Sequence, residues 1–155
     1  RSSVGQRLNM WLLALDMIRE APWLGQGDAA FGLRTEQLHA QGDLSFVGDF
    51  NHPHNDLLNA WVKHGMVAGI SMLIALLAPA FWFWHRSRAA SQLAWCALAG
   101  LLLCVCLLVF GQTQVMLGSK SVTMTYFAWL AVLLALSPTH TEVSMRGFGL
   151  ARKTA

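Results

Sequence analysis

GMVAGISMLIALLAPAFWFW, residues 65–84, carries no charged side chain. Two more uncharged stretches follow it, AASQLAWCALAGLLLCVCLLVFG at 89–111 and SVTMTYFAWLAVLLALSPT at 121–139. Each runs to roughly 20 residues, which at ~1.5 Å per residue reaches across the ~30 Å hydrocarbon core of a bilayer. One such stretch could be the core helix of a soluble protein. Three in succession predict transmembrane helices over 57–85, 89–111 and 121–138. Composition points the same way: 55% of the 155 residues are apolar and 12% charged, where a soluble domain carries about 25% charged residues. Seven Trp and eight Phe against one Tyr suit a membrane protein. The fold class expected is an all-α integral membrane fragment: three transmembrane helices and a partly helical outer loop. Arg1 in place of an initiator Met reads as the interior of a longer, multi-helix chain.

The flanking charges orient these helices. His85-Arg86-Ser87-Arg88 joins the first two, and Arg146, Arg152 and Lys153 follow the third. Both clusters are expected in the cytoplasm by the positive-inside rule, with Trp82 and Trp84 at that interface. The 112–120 loop and segment 1–56 then lie outside, which in a bacterium is the periplasm, and 139–155 is a cytoplasmic tail. Segment 1–56 is acidic, with four arginines against seven carboxylates, a net −3. No run interleaves basic and aromatic residues like a nucleic-acid surface, so no nucleic-acid partner is expected. Cys96, Cys104 and Cys106 lie in one apolar run without metal-ligand spacing and read as buried, inert thiols.

Segment 1–56 opens with an amphipathic helix over about 4–20. Ser3 and Gln6 fit a capping box, and Leu8, Trp11, Leu12, Leu15 and Ile18 recur at helical spacing. Pro22, Gly25, Gly27 and Gly32 punctuate its end, and 33–55 reads as a long aperiodic loop. The densest polar cluster, Asn51-His52-Pro53-His54-Asn55-Asp56, stands where this loop enters the first membrane helix. Asp56, Asn59 and Lys63 then share one helix face. Such a cluster is a solvated interfacial turn or a site facing a wet cavity. His52 and His54, even with Asp49 or Asp56, lack the fixed ligand set of a zinc site, so no metal is expected. A general-base role suits histidine better, since imidazole titrates near ~6.5. Arg7 is a surface arginine or an anion ligand, since guanidinium grips phosphate oxygens bidentately. Gly65 and Gly69 form a G-x-x-x-G pattern read as close helix packing, and Pro79 is a candidate kink. Gln112, Thr113 and Gln114 either line the site or cap the second helix.

Three stretches together resemble the C-terminal part of the bacterial O-antigen ligase and O-antigen polymerase superfamily. SSVGQRLNMWLLALDMIREAPWLGQGDAAFG (2–32) is similar to that family's outer-loop helix, an arginine followed by Trp and then by a Pro and a Gly-x-Gly turn. HPHNDLLNAWVKHGMVAG (52–69) resembles its histidine motif, H-[N/S/Q]-x9-G-x-x-G, through His54, Asn55 and Gly65. The final glycine is shifted, with Ala68 in its place and Gly69 next. FGQTQVMLGSKS (110–121) is similar to the next outer loop. The likeness covers about residues 2–136.

The resemblance implies a metal-independent, inverting membrane glycosyltransferase with no cofactor. Its donor would be a glycan on undecaprenyl pyrophosphate and its acceptor a sugar hydroxyl of lipid A–core, at the periplasmic face of the bacterial inner membrane. His54 would be the general base and Arg7 the pyrophosphate ligand. Asn55 would orient the loop, with His52, Asp56 and Gly65 in support. The polymerase and protein O-oligosaccharyltransferases share this donor chemistry. A transport or binding protein, in which the polar loop gates or binds, is the reading from outside enzymology.

Overall fold

The computed structural model describes residues 3–43, 50–88 and 93–137. Asp49 and the basic tail at 146–153 lie outside them. Five helices account for the described residues, with no strand among them: α1 (Ser3–Glu20), α2 (Ala30–Ala40), α3 (Asp56–Arg86), α4 (Ala94–Gly111) and α5 (Lys120–Leu136). α3 and α4 are long and apolar enough to cross a membrane, with mean hydropathies of 2.1 and 2.5 over their most apolar windows. Protein covers only 17% and 28% of those windows. The core helix of a soluble protein would be mostly covered. α5 is equally uncharged beyond Lys120 but has 17 residues, about 26 Å of helix. Two helices thus meet the length of a membrane span and the third is a shorter apolar helix.

Two compact units divide the chain. The first comprises residues 1–74 and 109–119. Its core is Met10, Ala14 and Met17 of α1, Phe31 of α2 and Val62 of α3, edged by Leu13, Ile18, Leu38, Phe50 and Leu58. The face of α1 expected to pack is therefore only partly the one that does. Leu8, Leu12 and Leu15 are exposed, at 51%, 61% and 41%. They stand two residues, about 200° of helix rotation, from Met10, Ala14 and Met17. α1 is apolar on both sides, so periodicity alone did not select the buried one.

The expected 33–55 loop also needs correction, because its first part continues α2. Phe31 and Thr35 are buried, one turn apart. The Thr35 hydroxyl lies 2.8 Å from both the Gly32 and Phe50 carbonyls. It ties α2 to the chain returning toward the polar cluster. A short helix of mixed composition, with Phe31 buried and Leu38 at the edge of the core, carries little periodicity to read.

α3 breaks at Gly65 (φ 75°, ψ −166°), not at Pro79. In an unbroken helix the Met66 and Val67 amides would bond the Val62 and Lys63 carbonyls. Here the loop that follows α1 enters the gap. Gln26 N–H donates to the Val62 carbonyl at 2.7 Å, and Gly27 N–H to the Lys63 carbonyl at 2.9 Å. Met66 N–H donates to the Pro22 carbonyl at 2.9 Å, as does the Trp61 indole at 3.2 Å. The Val62 and Lys63 carbonyls and the Met66 amide are thus paired again, as a break beside apolar surroundings requires. Gly25 and Gly65 permit the crossing. A Cβ on Gly25 would lie 2.6 Å from the backbone nitrogens of His64 and Gly65, and one on Gly65 would strike the Trp23 carbonyl. Gly69 accommodates the Trp61 ring. The G-x-x-x-G pair thus serves a loop and an indole within this unit.

The second unit comprises residues 75–108 and 120–155. Phe83 is fully buried against Gly100, where any Cβ would meet its ring. The Cys104 thiol lies 3.7 Å from the Tyr126 hydroxyl. Of the three cysteines expected to be buried, only Cys104 is; Cys96 is half-buried and Cys106 exposed, and all are free. Arg86 lies over the Trp82 ring at 4.7 Å and Arg88 over Trp84 at 4.3 Å. Ser137 Oγ donates to the Leu133 carbonyl at 2.6 Å and closes α5 before Pro138.

Candidate functional site

His54 stands one residue before the cap of α3. Pro53 ahead of it is fully buried, and Asn55 behind it is the helix cap, its Oδ1 accepting the Leu58 N–H at 3.0 Å. Between these anchors His54 takes φ 49°, the one positive φ among the described non-glycine residues. Histidine tolerates this region better than most residues, at a cost of about 1–2 kcal/mol. Its N–H donates to His52 Nδ1 at 3.3 Å, and the two imidazoles meet edge to face, 4.4 Å between centroids.

Three consecutive side chains bind the loop after α4. His54 Nδ1 lies 2.6 Å from Gln114 Oε1. Asn55 Nδ2 donates to Gln112 Oε1 at 3.0 Å. Asp56, 3% exposed, accepts the Met116 and Leu117 amides at 3.1 Å each. Gly111 leaves room for that carboxylate, since a Cβ there would lie 2.9 Å from Asp56 Oδ2. Gln112 and Gln114 therefore line the cluster. The N–H groups of Thr113 and Gln114 also close the end of α4 on the Phe110 carbonyl.

The supposed shared face of Asp56, Asn59 and Lys63 has three separate destinations. Asp56 holds the 116–117 amides. Lys63 pairs with Asp28 at 3.4 Å, beside His64 at 3.8 Å from the same oxygen. Asn59 Oδ1 is buried with no hydrogen-bond partner among the described residues. Sequence reasoning did not single out Asp28 or the 116–117 amides, which carry no motif of their own.

Arg7 is half-buried on α1 and makes no bond to the histidine cluster. In the same unit Arg19 pairs with Asp16, Arg34 with Glu20 and Lys63 with Asp28. Among the described residues the Arg7 guanidinium has no such partner, so its charge is available to an anion. A groove of about 510 Å³ between α1 and α2 offers an anion much less. Asp16, Glu20 and Asp43 line it around Arg34, which already bonds Glu20.

Burial, then His54, then Lys63 push the His52 pKa below its usual value, opposed by its own backbone. Neutral His52 is also the form whose Nδ1 can accept the His54 amide. A depressed folded-state pKa contributes stability that is present above the unfolded value, near ~6.5, and is lost as pH falls through the folded one. Full-length protein in detergent is therefore expected to melt at lower temperature as pH drops from about 7.5 to about 5. His52→Gln, whose acceptor does not titrate, should flatten that dependence. An unchanged slope in the variant would remove His52 from the account.

The O-antigen ligase family profile matches residues 1–73, a span that includes α1, the crossing loop, the polar cluster and the break at Gly65. An uncharacterized protein of Haemophilus influenzae is 29% identical over 129 residues, 82% of this chain. The chain spans 32% of that protein's length. Arg7 and the His54 turn both fall inside the residues that match the O-antigen ligase profile.

Proposed function

We propose that the full-length protein is a membrane glycosyltransferase of the O-antigen ligase kind. It would transfer a glycan from undecaprenyl pyrophosphate to a lipid A–core sugar hydroxyl at the periplasmic face of the inner membrane. The observation that carries this reading is His54, engaged through Nδ1 while Nε2 has no hydrogen-bond partner among the described residues. A nitrogen so presented is what a base needs. As the acceptor oxygen bonds the anomeric carbon, its proton passes to Nε2. The bond from that carbon to the pyrophosphate oxygen breaks on the opposite face, inverting the configuration. The departing pyrophosphate gathers negative charge, and Arg7, whose guanidinium has no ion-pair partner among the described residues, is the cation assigned to hold it. Membrane lipids are also partners in this scheme, since donor and acceptor both diffuse within a bilayer.

Deleting the gene in its own host tests the assignment, with lipopolysaccharide and lipid-linked glycans displayed side by side. Capped lipopolysaccharide should vanish while long lipid-linked polymer accumulates, and the plasmid-borne gene should reverse both. Single repeat units left on the lipid would make the protein a polymerase instead. Unchanged lipid glycans with lost protein glycosylation would make it a protein O-oligosaccharyltransferase. No change in any glycan would favour a transport or binding role.

A further inference from the structure

We propose that Gln114 is a positioning residue for this reaction, holding His54 in the tautomer whose Nε2 is free to accept a proton. The inference rests on the reading of His54 as general base. A side-chain carbonyl oxygen can only accept, so at 2.6 Å from Gln114 Oε1 the His54 Nδ1 carries the hydrogen. A neutral imidazole has one such hydrogen, which leaves the Nε2 lone pair open. The opposite tautomer would protonate Nε2 and remove the base.

Gln114 is itself well fixed. Its N–H donates to the Phe110 carbonyl at 3.0 Å, anchoring it to the end of α4. On either side the loop is bonded to the turn by Gln112 to Asn55 and by Met116 and Leu117 to Asp56. A glutamine has an advantage over a carboxylate at this position. It orients the ring without adding negative charge where an anionic donor must bind, and without strongly stabilising the imidazolium. Among the described residues the groups facing His54 are Gln114 and His52. Lys63 acts on His52 electrostatically, and the Asp56 carboxylate is taken up by the 116–117 amides.

The test uses full-length protein in membranes, turning over its lipid-linked donor, with Gln114→Leu and Gln114→Glu made separately. Gln114→Leu should lower kcat about 10-fold or more with KM little changed. Gln114→Glu should recover activity at alkaline pH, with the acid limb of its pH–rate profile displaced upward, because a carboxylate facing Nδ1 stabilises the imidazolium. A merely structural glutamine would not move that limb. Wild-type kcat in a membrane-inserted Gln114→Leu variant, or a wild-type profile in Gln114→Glu, overturns the role of Gln114. Should Gln114→Leu fail to insert, the Gln114→Glu profile decides alone. His54→Ala in the same assay separates the two readings: an inactive variant leaves the base in place whatever Gln114 does, and a fully active one removes both.

Discussion

Full-length protein carrying His54→Ala, inserted in the membrane at wild-type level, is expected to transfer glycan roughly 10²- to 10⁴-fold more slowly, the range lost with a general base. The loss should fall on kcat. In the proposed mechanism the base acts on the acceptor proton as the new bond forms, so its removal should raise the barrier more than it weakens binding of either lipid. Arg7→Ala should behave differently. The pyrophosphate is anionic before and after its bond breaks, so in the proposed mechanism the guanidinium contributes to binding and to departure, and both KM and kcat should change. Arg7→Lys keeps the charge but loses the bidentate grip and should recover only part of the activity. Single-turnover rates on a defined lipid-linked donor would separate the two contributions. Wild-type turnover by His54→Ala would sink the proposed mechanism.

The largest expected effect on stability belongs to Gly65→Ala. At φ 75° and ψ −166° the backbone occupies a region essentially restricted to glycine, costing about 1–3 kcal/mol for any other residue. The added Cβ would also strike the Trp23 carbonyl. That atom is main chain and cannot swing aside, so relief requires the 22–27 loop to withdraw. Withdrawal breaks the bonds from Gln26 to Val62, Gly27 to Lys63 and Met66 to Pro22, each worth about 1 kcal/mol. Together these come to roughly 4–6 kcal/mol. Gly69→Ala is the control. Its Cβ meets the Trp61 ring at 2.9 Å, a side chain that can yield. Thermal melting of the purified full-length variants should place Gly65→Ala far below Gly69→Ala. Equal melting temperatures would show that the helix break tolerates an ordinary residue.

The two effects are linked through the chain. Nine residues separate Asn55 from Gly65, and α3 carries the His54 turn at its start and the loop crossing at its break. The histidine motif is therefore partly a structural one. Its histidine is the base in the proposed mechanism. Its asparagine caps the helix and bonds Gln112, and its glycine admits the loop that follows α1.

The apolar helices were legible in the sequence because burial in lipid or protein demands the same local composition along an entire helix, and 65–84 and 89–111 supply it without interruption. The polar turn at 51–56 was legible for the converse reason: six polar or turn-forming residues do not enter an apolar helix without a purpose. What could not be read there depended on partners distant in the chain. Leu8, Leu12 and Leu15 match Met10, Ala14 and Met17 in spacing, and only packing against Phe31 and Val62 distinguishes them. Gly65 resembles a helix-packing glycine until Trp23 is seen to cross it. The glutamines after α4 are equally good caps or site residues until one of them meets His54, 60 positions away. Local pattern governs which segments become helices, because hydrogen bonding and transfer free energy act residue by residue. The site is assembled by contacts that close long loops, whose partners no local pattern names.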